Sequence, residues 1–476
     1  MPTTIVTATC PLPACNLAPR DVESLVAELE AYAAHFIPHF ARLDQGRWAH
    51  RYLQGLVSEH PRKSIEPMAL AHGFPIRSMQ AFIGQSRWAS APIQHQHQQL
   101  VAQTLGEDDG VLLVDESGMP KQGQHSAGVA PQYCGALGKV ANCQVGVYIG
   151  YASRKGYTLV DGQLFVPECW FADEYAALRD EVGLPPDLTF QTKPQLAVHL
   201  IGGIVDRKQL PARWLAADAL YGDSPAFRDD VAAMGLWYFT EVACSTLIWR
   251  RHPALIIPLW CGKGRKPSKQ RLKTPSNHPY RVDELLRRLP KTAWVRGTVK
   301  EGSKGPIVCD FAFVRVTEAR GGRPGPRLWL IIRRNVADPA EVKFYLSNAP
   351  EDIETLELVR MSGMRWPVEL SFEEGKSDLG MDQYETRGWL GWHHHMTLVM
   401  LAHHFLVWVR VRWRDRAPAL TLAQVRLLLM SVIPKPLLNA ERALLRVQYY
   451  QRRNHAAYLS HRKRKLAQLA AFDSAL

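Results

Sequence analysis

The sequence lacks the patterns that mark several common classes of protein. Its eight cysteines include no C-x-x-C pair, which disfavours a zinc ribbon and a thioredoxin-like redox site. Residues 1–15 carry neither the basic region nor the long apolar region of a secretory signal. The longest apolar stretch near the C-terminus, residues 396–411, is interrupted by histidines and an arginine and is too short to span a bilayer. We therefore expect a cytoplasmic protein with free thiols.

Acidic residues are scarce in two segments of this chain of 476 residues, whose net charge is +13. Residues 246–305 contain fifteen Lys and Arg against three acids, and residues 446–471 contain seven against none. Positive charge clustered in this way favours a nucleic acid or another polyanion as partner, although a solvated face is the alternative for the second segment. Within the first segment, six cations without an acid among them favour phosphate contact over a solvated loop: Lys263, Arg265, Lys266, Lys269, Arg271 and Lys273.

The N-terminal part of the chain, residues 20–104, has apolar residues at helical spacing. Within it, two short helical segments at 64–71 and 75–83 are separated by Gly73. This arrangement resembles a helix-turn-helix motif, in which Arg77 would lie on the helix that reads DNA. A plain helical bundle can have the same break between two short helices, so it stays open as an alternative.

After residue 104 the helical spacing of apolar residues gives way to short apolar and alternating runs, and this change predicts an α/β core. The apolar run 111–114 ends in Asp115, as expected for a buried strand that delivers a carboxylate. The further strands are predicted at 143–151, 157–166, 213–217 and 236–242, and the helices at 196–205 and 226–234. This order is that of a ribonuclease H-like core, in which carboxylates from the first and fourth strands meet. Asp218 follows the fourth strand, so we expect it to lie beside Asp115.

The segment 246–326 breaks the α/β pattern, because it is basic, rich in Pro and Gly, and contains short strand-like runs at 293–299 and 308–316. We predict an inserted, mainly β domain with a flexible basic loop. The predicted α/β architecture begins with a helical N-terminal DNA-binding domain at residues 1–105. A ribonuclease H-like catalytic core follows in two parts, 106–245 and 327–410, and the β insertion at 246–326 lies between them. A basic helical C-terminal region at 411–476 completes the chain.

One predicted helix, which begins near residue 366, carries a carboxylate and a lysine two turns apart. Pro367 suits the first helical turn, where its missing N–H is not needed, and Gly380 suits the C-terminal end. Glu369 and Lys376 then fall near one face. A metal ligand beside a phosphate-holding cation is one interpretation, and a surface helix with ordinary ion pairs is the other.

Two aspartates after strands and a glutamate on a later helix are what two-metal phosphodiester chemistry needs. Mg²⁺ and Mn²⁺ prefer oxygen ligands, and two ions about 3.5–4 Å apart activate the attacking oxygen and stabilise the leaving one. Asp115, Asp218 and Glu369 are the candidate ligands, although an aspartate after a strand is as often a cap or turn residue. Glu116 and Glu373 are alternative ligands. Glu116 is expected to point away from the site, since neighbouring strand residues face opposite sides.

Histidines and tryptophans after the predicted helix allow further interpretations. The histidines at 393–395 and 403–404 suggest a zinc site, but their spacing is not that of common zinc sites. Packing beside the catalytic helix or DNA contact is favoured instead. Trp389 and Trp392 are able to stack on an unpaired base, and we expect core packing for at least one of them.

The spacing of Arg365, Glu369 and Lys376 resembles the Arg-Glu-Lys part of the Tyr-Arg-Glu-Lys signature of bacterial cut-and-paste insertion-sequence transposases of the DDE superfamily. Ser362 stands where the signature has its tyrosine. The stretches LLVDESGMPKQG and WLAADALYGDS are similar to the family's two aspartate blocks, and RWPVELSFEEGK is similar to its glutamate block. The resemblance covers residues 51–406.

This resemblance implies a DNA transposase that binds the terminal inverted repeats of an insertion sequence, cleaves the transposon ends and joins their 3′-OH ends to target DNA. It assigns Asp115, Asp218 and Glu369 as the catalytic ligands of two Mg²⁺ or Mn²⁺ ions. It also implies a homodimeric synapse on double-stranded DNA, excision through a hairpin and association with the bacterial nucleoid. A catalytically silent, transposase-derived DNA-binding protein and a standalone nuclease are the alternatives. The residues expected to hold DNA phosphates at the scissile end are Arg365, Lys376 and Lys121.

Overall fold

The computed structural model describes residues 14–302, 305–434, 436 and 438–473. Residues 1–13, which belong to the stretch without a secretory signal, lie outside this part. The helices are α1 Pro19–Glu23, α2 Leu25–Ala34, α3 Leu43–Val57, α4 Ile65–His72, α5 Ile76–Gly84, α6 Ser90–Leu105, α7 Ala176–Val182, α8 Lys193–Arg207, α9 Ala219–Gly222, α10 Pro225–Ala233, α11 Val282–Arg288, α12 Thr355–Met361, α13 Trp366–Leu379, α14 Trp389–Arg412, α15 Leu422–Val432 and α16 Ala440–Asp473. The strands are β1 Val111–Pro120, β2 Ala130–Cys134, β3 Lys139–Ala152, β4 Tyr157–Phe165, β5 Trp214–Ala217, β6 Trp237–Val242, β7 Leu247–Trp249, β8 Leu255–Ile256, β9 Arg271–Leu272, β10 Tyr280–Arg281, β11 Val295–Gly302, β12 Gly305–Arg320, β13 Arg323–Asn335 and β14 Val342–Ser347.

One large mixed sheet forms the centre of the molecule, in the order β10-β7-β12-β13-β14-β6-β5-β1-β3-β2, with β4 paired to β3 and β11 paired to β12. β1, β5 and β6 run parallel to one another, whereas β3 is antiparallel to both β1 and β4. The parallel strands are buried and apolar because helices cover the sheet. The α/β class predicted for the core is confirmed, with strands and helices in the predicted order.

The first strand is longer than expected. The sequence predicts a strand that ends at Asp115, but β1 continues to Pro120. The prediction is wrong at this point because β3 pairs with β1 along its whole length, from Val111 opposite Ala152 to Pro120 opposite Cys143. The parallel neighbour β5 does stop beside Asp115, since its last residue, Ala217, lies opposite Val114.

Most strands of the predicted insertion, together with β13 and β14, continue the same sheet, whereas β8 and β9 form a separate one. β14 pairs with β6 of the core, and β13, β12 and β11 follow outward. The strand-like runs predicted at 293–299 and 308–316 correspond to β11 and β12. The domain limit predicted between residues 326 and 327 falls inside β13. The division of the chain into five parts stays a prediction.

The N-terminal helices surround the long helix α14. α3, α5 and α6 all pack on α14, whose residues from 394 to 407 are buried. α4 and α5 form the predicted helical pair, and Gly73 ends α4 in the left-handed conformation with φ 71°. Arg77 is exposed on α5, where it is accessible to a partner. None of the helices described here combines the length and apolarity that crossing a bilayer requires.

The histidines of α14 are packing residues. His394 stacks on Trp88 with ring centroids 3.6 Å apart, and Tyr52 lies within hydrogen-bonding distance of His395 Nδ1, at 2.9 Å. No group of three His, Cys, Asp or Glu side chains within the described residues is placed to hold a metal ion, so the zinc interpretation has no support here. Trp392 is fully buried, which confirms the expected core role for one of the two tryptophans.

We expect the protein to lose stability between neutral pH and about pH 5, because buried histidines stay neutral in the folded state. Burial lowers the pKa of His97 to about 3 and that of His395 to about 4. Below an ordinary histidine pKa of about 6.5 the unfolded chain binds protons that the folded chain does not, so each histidine removes about 2 kcal/mol of stability by about pH 5. Thermal unfolding midpoints across this range would measure the loss.

His97 offers a matched pair of variants for this experiment. Neither of its ring nitrogens has a hydrogen-bond partner within the described residues. His97→Leu should therefore flatten the acid side of the stability profile, while His461→Leu on the exposed face of α16 should leave it unchanged. A wild-type midpoint that does not fall toward acid would contradict the expectation.

Candidate active site

Asp115 and Asp218 lie side by side because their strands are parallel neighbours. Val114 of β1 pairs with Ala217 of β5, and each aspartate is the next residue in its strand direction. Asp218 also caps α9, since its side chain accepts a hydrogen bond from the backbone N–H of Leu220 at 3.0 Å. Asp218 is therefore a helix cap as well as a neighbour of Asp115.

Glu369 reaches this edge of the sheet from α13. The helix begins at Trp366 with Pro367 in its first turn, and Gly380 ends it at φ 67°, as the sequence predicts. Glu369 lies in the first turn, and 38% of its side chain is exposed against 13% for Asp115. The carboxylate of Glu369 thus faces solvent, while that of Asp115 lies deeper.

Arg365 joins the carboxylates. Its guanidinium lies 3.2 Å from Asp115 Oδ2 and 2.5 Å from Glu369 Oε1. The charge of Asp218 acts on the same guanidinium and contributes to raising the pKa of Arg365. One arginine therefore contacts Asp115 of β1 and Glu369 of α13, and it interacts through charge with Asp218 at the β5–α9 junction.

The two aspartates repel each other in a buried setting. The pKa of Asp115 is raised to about 7, chiefly by burial and also by the charge of Asp218, while the charge of Arg365 opposes both effects. Burial also raises the pKa of Asp218, with a further contribution from Glu116. A buried pair of like charges is stabilised by added cationic charge, so this edge of the sheet favours a cation.

The donor set suits a hard divalent cation, because carboxylate oxygens are the ligands that Mg²⁺ and Mn²⁺ prefer. The described residues nevertheless include no group of carboxylates already placed to hold a metal ion. The guanidinium of Arg365 lies between Asp115 and Glu369, at the place where a shared cation would interact with both. The two kinds of cation would compete for the same oxygen atoms.

The alternative ligands have other partners. Glu116 accepts hydrogen bonds from Lys193 and from the hydroxyl of Tyr221, both at 2.9 Å. These contacts lie on α8 and α9, whereas Asp115 contacts Arg365, the residue before α13. The charge of Glu116 nevertheless acts on both Asp115 and Asp218, so its expected orientation away from the site stays a prediction. Glu373 is exposed on α13, one turn after Glu369.

A cavity of about 310 Å³ opens beside Glu369 and is lined by charged side chains from β6, β11, β13 and β14. Glu241 and Lys343 form an ion pair of 3.1 Å in its wall, and the Lys300 ammonium lies 4.1 Å from the ring centroid of Trp366. Sequence reasoning missed these positions. Each is a single charged residue in a strand, and only the pairing of β11, β13 and β14 with the core brings them to the site. The cations in this wall are Lys300, Arg333, Lys343 and Arg365.

Lys121 and Lys376 share a second environment. The Lys121 ammonium lies 3.5 Å from the ring centroid of Tyr384, and burial lowers the pKa of Lys121 to about 8. Burial also lowers the pKa of Lys376. Asp382 opposes the shift in both lysines, so the two predicted phosphate ligands lie near one carboxylate. Within the described residues, neither lysine forms an ion pair with the three predicted metal ligands.

The other predicted DNA-binding residues lie on separate surfaces. Arg77 is exposed on α5, and the six cations of the basic loop are exposed around the small β8–β9 sheet. Within the part of the chain that the structure describes, none of these seven side chains contacts the carboxylates at the edge of β1 and β5.

Comparison with known proteins places this chain in a family. A family model described as DDE superfamily endonuclease matches residues 35–306, which is more than half of the chain. The chain belongs to this family. The match confirms the DDE superfamily predicted from the sequence, contains Asp115 and Asp218, and ends before Glu369.

Individual relatives of this DDE endonuclease are distant. A probable transposase for insertion sequence element IS701 from Microchaete diplosiphon is 27% identical over 178 residues, which are 37% of this chain and 43% of that protein. The chain thus matches less than half the length of this relative. The NurA nuclease from Sulfolobus solfataricus aligns in structure over 60% of this chain and 86% of its own, with 10% identity and a TM-score of 0.24. A score this low carries no argument.

Proposed function

We propose that this protein is a DNA transposase that binds the terminal inverted repeats of an insertion sequence, cleaves the transposon ends and joins the 3′-OH ends to target DNA. The observation that carries the proposal is the bridging of Asp115 and Glu369 by Arg365 beside Asp218. Three carboxylates from distant parts of the chain thereby share one edge of the sheet, in a DDE superfamily endonuclease.

The core is proposed to be of the ribonuclease H-like type. Support comes from the strand order β4-β3-β1-β5-β6, in which β3 runs antiparallel to the other four strands. In that type of core the first and fourth strands deliver aspartates to one site, which agrees with the pairing of Val114 and Ala217.

Asp115, Asp218 and Glu369 would hold two Mg²⁺ or Mn²⁺ ions. When bound, such ions activate the attacking oxygen and stabilise the leaving oxygen of a phosphodiester. The chain's own contribution is positioning. Arg365 would turn from the carboxylates to a DNA phosphate, and the cations of the adjacent cavity would hold the neighbouring backbone.

Double-stranded DNA is the proposed partner along several surfaces. Lys121 and Lys376 would hold phosphates beside the scissile end, Arg77 would contact the transposon end from α5, and the six cations of the basic loop would follow the backbone. A homodimer in the synaptic complex, with one transposon end bound by each protomer, completes the proposal.

The test is to incubate the protein with Mg²⁺ and synthetic duplexes that carry the terminal inverted repeats flanking its gene. A transposase should cut at the repeat boundary and join a supplied 3′-OH end to a target plasmid. Cutting without joined product would instead identify a standalone nuclease. Binding of the repeats without cutting would identify a silent DNA-binding protein.

A further inference from the structure

The basic loop forms an arm that stands apart from the large sheet. Residues 254–273 are called the arm here. β8 and β9 make a separate two-stranded sheet at its base, where Leu255 pairs with Leu272 and Ile256 pairs with Arg271. The backbone N–H of Lys273 also donates to the carbonyl of Ala254 at 2.8 Å. The arm therefore has an ordered base, and residues 257–270 form its tip.

The tip of the arm exposes large apolar side chains. Ile257 is 54% exposed, Leu259 97% and Trp260 51%. The indole N–H of Trp260 donates to the carbonyl of Gly264 at 3.1 Å, so the ring is held by the tip itself. Adjacent exposed apolar side chains are costly in water, and clusters of them mark binding sites.

The charge around these side chains identifies the kind of partner. The six cations of the arm are exposed, and none has an ion-pair partner within the described residues. The sequence from 242 to 282 contains no Asp or Glu. An apolar tip surrounded by unpaired cations fits a polyanion that also has an apolar surface. DNA has both properties, because its phosphates are anionic and its base faces are apolar. A second copy of the arm would be repelled by its own charge.

We propose that the arm is a DNA wedge, in which the cations hold backbone phosphates while Leu259 and Trp260 enter the base stack of a distorted duplex. The proposal rests on the proposed function, because it takes DNA as the substrate. Apolar side chains that enter a base step unstack it and bend the duplex, and an aromatic ring stacks on any base. The wedge would therefore recognise deformable or interrupted DNA rather than a particular sequence.

Binding of the full-length protein to two synthetic duplexes tests the wedge. One duplex is fully paired, and the other carries a short single-stranded gap flanked by 2-aminopurine, whose fluorescence rises when it is unstacked. We expect wild type to bind the gapped duplex about tenfold more tightly than the paired one and to raise the fluorescence. The double variant Leu259→Ala with Trp260→Ala should bind both duplexes alike, with an unchanged salt dependence.

Two further variants separate the apolar and ionic parts. Lys266→Ala with Lys269→Ala should keep the preference for the gap, weaken binding to both duplexes and lower the slope of affinity against salt by about two. Leu427→Ala removes a leucine that is 60% exposed on α15 and should behave as wild type.

The outcomes distinguish the wedge from the proposed function. Retention of the gap preference by the apolar double variant, or equal binding of both duplexes by wild type, overturns the wedge and leaves DNA binding in place. Binding of anionic lipid vesicles that DNA does not compete away overturns it in favour of a membrane surface. Failure of wild type to bind either duplex overturns the proposed function as well.

Discussion

Replacing Asp115 with asparagine is expected to abolish cleavage of transposon-end DNA and to leave binding of that DNA intact. Divalent ions supply several kcal/mol of transition-state stabilisation in phosphodiester chemistry, so loss of a ligand should lower the cleavage rate by about a thousandfold or more. Asp218→Asn and Glu369→Gln should have the same effect. Single-turnover cleavage in Mg²⁺, with binding measured in Ca²⁺, separates the two steps.

Glu373→Gln is the matched control for Glu369→Gln, because Glu373 is an exposed carboxylate one turn further along α13. It should cleave as wild type. Asp115→Asn should melt no lower than wild type, since the amide removes a buried charge that repels Asp218. Normal cleavage by Glu369→Gln, or loss of cleavage in Glu373→Gln, would remove Glu369 from the proposed ligand set.

The sequence predicts that the two aspartates are neighbours because local pattern and strand position agree. An apolar run followed by an acid marks Asp115 and Asp218, and the parallel pairing of Val114 with Ala217 makes them neighbours. The continuation of β1 to Pro120 has no such local signal, since residues 116–120 read ESGMP. It depends on pairing with β3, and tertiary pairing of this kind overrides local propensity.

The remaining parts of the site depend on long-range contacts, which the spacing of residues along the sequence does not predict. Arg365 and Glu369 are four residues apart on a helix, so their ion pair is predictable. The contact between Arg365 and Asp115 spans 250 residues, so local spacing does not predict it. Lys300 and Lys343 reach the site only because β11 to β14 extend the core sheet beyond β6.

Arg365→Gln is expected to bind Mn²⁺ more tightly than wild type in the absence of DNA. The guanidinium lies 3.2 Å from Asp115 and 2.5 Å from Glu369, so a metal ion has to displace it from the oxygen atoms that both require. Unit charges about 4 Å apart interact by about 4 kcal/mol near a protein surface, and even half of this value gives a change in affinity of more than about tenfold. Isothermal titration with Mn²⁺ alone measures the difference.

The same competition predicts that DNA strengthens metal binding. If Arg365 turns to a phosphate when DNA binds, the carboxylates lose their internal cation, and by linkage DNA should raise the Mn²⁺ affinity of wild type but not that of Arg365→Gln. Arg360→Gln is the control, because Arg360 pairs with Asp109 and Glu357 instead. Equal Mn²⁺ affinity in wild type and Arg365→Gln would show that the guanidinium does not compete with the metal ion.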